Sequence, residues 1–77
     1  MPYKLLSELP SQVQEHLPRH AQEIYRAAFN NAWEEYKDPQ LRRTDETREV
    51  VSHKVAWSAV KKKYYRGDDA IWIEIQN

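Results

Sequence analysis

Between Ala21 and Tyr36 the apolar and aromatic positions recur three and four residues apart: Ala21, Ile24, Tyr25, Ala28, Phe29, Ala32, Trp33 and Tyr36. At about 100° per residue they cover roughly half of a helix circumference. Glu23, Arg26, Asn30, Glu34 and Lys37 fall on the remainder. The pattern predicts a helix that starts at Pro18 or Arg19, faces a core and stops near Lys37, where Pro39 breaks the chain. A shorter helix is expected from about Pro10 to His16. Leu17 precedes a proline and is pushed out of helical geometry, so it marks a corner between the two.

A third helix is predicted from Thr44 or Asp45, either of which can act as N-cap, to about Tyr65. Its main apolar stripe is Val50, His53, Ala56, Trp57, Val60 and Tyr64. A narrower one holds Val51, Val55 and Ala59, which the first helix can cover. Gly67 follows as a left-handed helix cap. The segment "IWIEI" alternates and is β-branched, so residues 71–75 read as a strand. Its expected partner is "YKLL", residues 3–6, in an antiparallel pair that ties the termini together. The predicted fold class is therefore mainly α: one small three-helix domain over residues 1–77 with a short two-stranded antiparallel β element joining the termini.

Composition narrows the picture. The chain has 77 residues and no cysteine, so no disulfide or thiolate-bound metal is available to stabilise it. Three Trp, five Tyr and one Phe supply the bulk of a core instead. Twelve basic and twelve acidic side chains cancel. The charge is uneven, however: residues 48–66 carry six basic groups against one acidic one. No apolar run reaches the length of a signal-peptide core or a membrane span, which leads to the expectation of a soluble, cytoplasmic protein.

The candidate chemistry is sparse. The "GDD" at 67–69 resembles a metal-binding turn, and Asp68, Asp69 and Glu74 together can attract a divalent cation weakly. The simpler reading is a cap followed by an acidic turn. His16 and His20 have the spacing of zinc ligands on a helix, with Glu23 following, but Pro18 interrupts that helix. His53 lies on the apolar stripe. None of Ser7, Ser11, Ser52 and Ser58 sits in a hydrolase-type elbow, and one glycine cannot build a phosphate loop. The expectation is a non-enzymatic binding module with no cofactor and no metal. Lys61, Lys62 and Lys63 are consecutive and fan out around a helix. Trp57 and Tyr64 belong to the core stripe. What remains is a strip of Lys54, Ser58, Lys61 and Tyr65, joined by Lys62 and extended by Arg66, as the expected partner-contact surface. It suits an acidic protein surface or, in the alternative reading, the phosphates of a nucleic acid.

The segments "MPYK", "LPRHAQEIYRAAFNNAWEEY", "HKVAWSAVKKKYY" and "GDDAIW" resemble, in order and spacing, the ChaB family, small proteins named for regulation of cation transport. The resemblance runs from Met1 to about Trp72. It implies a mainly helical fold with a small β element. It also implies a cytoplasmic, non-enzymatic partner of a membrane cation antiporter (sodium or calcium exchanged for protons). It supplies no catalytic residues. The family's recurring His, Trp and Tyr positions fall here on His20, Trp33, Tyr36, His53, Trp57 and Tyr64. Some relatives carry the domain beside a segment like the N-terminal part of the Rho terminator, which implies nucleic acid as an alternative partner. The end "IWIEIQN" departs from the lysine-rich tail of close relatives, and this weakens the nucleic-acid alternative.

Overall fold

The computed structural model describes residues 2–42, 46–68 and 71–75. Three α-helices are observed: α1, Ser11–His16; α2, Arg19–Glu35; and α3, Arg48–Lys63. Two short strands follow, β1, Tyr64–Arg66, and β2, Trp72–Glu74, paired antiparallel. Single 3-10 turns precede α1, at Leu6–Glu8, and lie between α2 and α3, at Pro39–Leu41. The three helices are those the sequence predicts; a two-stranded antiparallel sheet is also present, with a first strand other than the expected one.

Leu17 is extended, with φ −106° and ψ 135°, and turns the chain between α1 and α2. α2 buries Ala21, Tyr25, Phe29 and Ala32, the centre of its predicted stripe. It packs along α3, which buries Ser52, Ala56 and Val60 four residues apart. Small side chains from both helices line this seam, so the backbones approach closely, and Tyr25 and Phe29 fill the space beside them. Leu9, Val13, Leu17 and Tyr64 close the same core. Burying a side chain the size of Phe29 contributes roughly 1.5–3 kcal/mol.

The buried stripe of α3 is rotated from the expected one. Val50 is 43% exposed, whereas Ser52 is fully buried. The Ser52 hydroxyl donates to the Arg48 carbonyl at 2.8 Å, one turn back, which satisfies it without a partner from outside the helix. Trp57 is half-buried, packed edge-on against Tyr25. The start of α3 also differs. Thr47 is the N-cap, its hydroxyl accepting from the Val50 N–H at 3.1 Å; the proposed caps Thr44 and Asp45 lie outside the described residues.

α2 ends without a glycine. Two arginines satisfy its last carbonyls instead. Arg48 Nε donates to Trp33 O at 2.6 Å, and its guanidinium lies 4.1 Å from the Trp33 ring centroid. Arg42 Nε donates to Tyr36 O at 2.9 Å. Cations at this negative helix end are also favoured by the dipole.

The β element does not join the termini. β2 pairs with Tyr64–Arg66, with Tyr65 opposite Ile73, and residues 3–6 bind α2 instead. Tyr3 N–H donates to Asn30 Oδ1 and Asn30 Nδ2 donates back to Tyr3 O, both at 2.8 Å. The N–H groups of Lys4 and Leu5 donate to the Glu8 carboxylate. These bonds satisfy the N-terminal backbone locally, and Leu5 and Lys4 hold the Glu8 carboxyl below its ordinary range. The observed hairpin closes a short loop, whereas pairing the two chain ends must order a loop of most of the chain.

α3 therefore ends at Lys63, not Tyr65. Tyr64, its C-cap, is already extended at φ −135°, ψ 152°. Gly67 is not a left-handed cap. It sits in the hairpin loop, where its N–H donates to Ile71 O at 2.7 Å. A Cβ there would meet Ile73 Cδ1 at 2.6 Å and Ile71 O at 3.2 Å, so glycine is required for close approach.

Candidate functional site

The surface of α3 that faces away from α2 is not sealed. Val51, Val55 and Ala59, expected to lie beneath the first helix, instead line an open groove in which Val51 is buried and Val55 and Ala59 are partly exposed, because α1 lies on another side of α3, beside Trp57 and Lys61. The groove has a volume of about 800 Å³. Tyr36, Leu41, Arg42 and Glu46 form its far wall, and Lys54, Ser58 and Lys62 its near rim. A second concavity of about 560 Å³ lies on the other side of that rim, lined by Val50, His53, Lys54, Trp57, Ser58 and Lys61. A third, of about 430 Å³, is bounded by Gln12, His16, Trp57, Lys61, Arg66 and Trp72.

The predicted contact residues divide among these features. Lys54 and Ser58 form the ridge between the first two concavities. Lys61 and Lys62, one residue apart, fall on opposite sides of it, as their helical separation dictates. Arg66 lies beside Lys61 across Trp57 and Trp72. Tyr65 is separated from the others. Because β1 is extended, Tyr64 points inward and Tyr65 outward, so Tyr65 does not continue the helical strip. Lys54 is paired with the Glu46 carboxylate. Among the described residues no carboxylate pairs with Lys61, Lys62 or Arg66.

The histidines are engaged with tyrosines. His20 Nδ1 and the Tyr64 hydroxyl are 3.0 Å apart. The Tyr25 hydroxyl bonds His53 Nδ1, and His53 Nε2 lies 3.7 Å from Glu49. Burial, reinforced by Tyr3 and Glu49, raises the Tyr25 pKa far above its ordinary value. The hydroxyl keeps its proton, and the imidazole tautomer sets which of the two groups donates. Burial, with Glu74 nearby, also raises that of Tyr64. His16 and His20 do not converge: His20 is held by Tyr64, while His16 borders the third concavity. Among the described residues no three His, Asp or Glu side chains are placed to hold a metal ion. Asp69, one of the three proposed carboxylates, lies outside those residues.

The fold and these groove-lining residues can be compared with known proteins. The ChaB family model matches residues 9–74. A protein of Escherichia coli strain K12 named "Putative cation transport regulator ChaB" is 57% identical over 72 residues, covering 94% of this chain and 95% of the relative.

The chain belongs to the ChaB family.

A Shigella flexneri ChaB of the same name matches to the same extent. The solution structure of a ChaB protein superposes with a TM-score of 0.82 at 53% identity, covering 97% of this chain and all of the other. The ChaB fold thus accounts for the whole helical core described above. Among the described residues no helix is long and apolar enough to cross a membrane.

Two parts of the ChaB surface were not legible as such. The far wall of the first groove comes from Tyr36, Leu41, Arg42 and Glu46, residues to which the sequence assigned no contact role. Trp57 has the spacing of a core residue, yet it is shared between the core and two concavities. Part of its outer surface is covered by Trp72, whose ring lies 5.5 Å from it and which the hairpin brings there.

Proposed function

We propose that this ChaB protein is a non-enzymatic regulatory module that acts in the cytoplasm by contacting the water-exposed face of a membrane cation antiporter. The observation that carries the reading is the groove between α3 and the side chains of Tyr36, Leu41, Arg42 and Glu46. It has an apolar floor of Val51, Val55 and Ala59 and a rim bearing Lys54 and Lys62. An apolar floor with cations on its rim suits an amphipathic segment with acidic flanks, laid in the groove as a helix. The name borne by the close relatives supports a role in cation transport. A non-enzymatic role agrees with the serines: Ser52 is buried and bonded to its own helix, and Ser58 lies on an open ridge.

The test is capture of a cation/proton antiporter from detergent-solubilised membranes by the tagged protein. Lys54→Glu combined with Lys62→Glu is expected to abolish capture. Both side chains are exposed, so the variant should melt within about 1 kcal/mol of the parent. Undiminished capture by the folded variant would overturn the reading.

A second reading is supported by one specific feature, the half-buried Trp57–Trp72 pair flanked by Lys61 and Arg66. Aromatic faces beside cations are the elements of single-strand nucleic-acid binding. This reading requires binding to single-stranded DNA or RNA that weakens with salt and is lost in Lys61→Glu with Arg66→Glu.

A further inference from the structure

The outward face of the hairpin is apolar and uncovered. Tyr65 pairs with Ile73, and two further backbone bonds extend the same register. Ile75 N–H donates to Lys63 O at 2.8 Å, and Gly67 N–H donates to Ile71 O at 2.7 Å. Alternation then places Tyr65, Ile71, Ile73 and Ile75 on one face, with Lys63 opposite Ile75 at its root. Tyr64 and Trp72 occupy the other face, toward the core. The four outward side chains are 51%, 59%, 42% and 39% exposed. Gly67 adds to this face: with no Cβ beneath it, the Ile73 side chain lies across the turn.

We propose that this face is a docking surface for a lipid bilayer carrying anionic headgroups. Three properties select that occupant. The first is charge. Lys62 and Lys63 are exposed at the root of the hairpin, where α3 ends in three consecutive lysines. Glu74, paired with Tyr64, belongs to the inner face, and Asp68 stands at the far end in the loop. The root of the apolar face is thus basic, as anionic headgroups require. The second is area. Four side chains of partial exposure amount to a patch of a few hundred Å². A stable dimer needs about 800 Å² from each partner. The third is shape. Among the described residues none of these four side chains lines a concavity described for this protein, and a face without a socket does not seat the anchoring side chains of a peptide. A bilayer needs none: isoleucines enter the headgroup boundary, and a tyrosine ring is at home there, its hydroxyl toward water.

The experiment is flotation of the full chain with vesicles of phosphatidylcholine alone and with vesicles containing phosphatidylglycerol. At low salt the protein should float with the phosphatidylglycerol vesicles and be released as salt rises. Ile73→Glu should weaken recovery about tenfold, and Lys63→Glu about fivefold. Circular dichroism verifies that each variant folds. Ile73→Thr keeps the β-branch and replaces Ile73→Glu if the latter does not fold. Absence of flotation, equal flotation on both vesicle types, or recovery unchanged by the Ile73 variant overturns the proposal. So does a dimer that forms without vesicle binding and dissolves in Ile73→Glu. Ile73 and Lys63 line none of the three concavities, so the outcome is independent of the antiporter reading.

Discussion

The two flanks of α3 are built from similar residues and meet opposite fates. On one flank Ser52, Ala56 and Val60 are sealed against α2. On the other, Val55 and Ala59 floor an open groove. Hydrophobicity alone does not distinguish them, since each flank presents valine and alanine four apart. The difference lies in what stands opposite. Tyr25 and Phe29 fill the space beside the first flank, while the second meets Tyr36, Leu41 and Arg42 across a gap. The first flank stabilises the fold, and the second is left partly exposed.

The contrast is broken most severely at its aromatic centre. Phe29, fully buried and in ring contact with Tyr3, Tyr25, Trp33 and His53, should cost about 3–5 kcal/mol when replaced by alanine. In a domain of this size that is enough to leave much of the chain unfolded at equilibrium, as urea titration will show. A paired substitution sharpens the comparison. Ala56→Leu overfills the seam and should cost about 1–3 kcal/mol. Ala59→Leu points into the groove and should change stability by no more than about 0.5 kcal/mol. Equal shifts in thermal denaturation would show that the groove is closed in solution.

Alkaline pH perturbs the same aromatic centre through charge rather than volume. The folded pKa of Tyr25 is raised above that of the unfolded chain, so its contribution is complete below about pH 10 and is lost as pH rises above that value. Stability should be flat with pH near 9 and then fall by up to about 1.4 kcal/mol per pH unit. Tyr25→Phe should reduce that slope, and an unaltered slope would place the alkaline loss elsewhere.

Much of this was readable from local patterns. Pro18 and the spacing of Ala21, Tyr25, Phe29 and Ala32 define α2, because a long amphipathic helix depends on its own residues. The start of α3 was less legible. Thr44, Asp45 and Thr47 all have capping chemistry, and no local rule ranks them. The strand partner was hidden for a different reason. Trp57, Val60 and Tyr64 continue the helical period through the point where the chain leaves the helix. The competitor at residues 3–6 is removed by Asn30, Arg26 and Glu8, ordinary polar residues that hold its backbone. The open groove was unreadable because it depends on α1 lying beside Trp57 and Lys61, away from Val55 and Ala59. Lys54, Ser58 and Lys61 share a flank as their spacing predicts, whereas Tyr65 does not, because its direction is set by the hairpin.

The stacking of Trp72 on Trp57 has a practical consequence. Two indoles at this distance and tilt couple their electronic transitions, giving a paired circular-dichroism signal that isolated tryptophans lack. The coupling exists only while the hairpin rests on α3. Detachment of the hairpin, whether on heating, on binding lipid or on capture by a partner, should erase the signal while the helical bands persist. The protein thus contains its own unlabelled optical gauge of where the hairpin is.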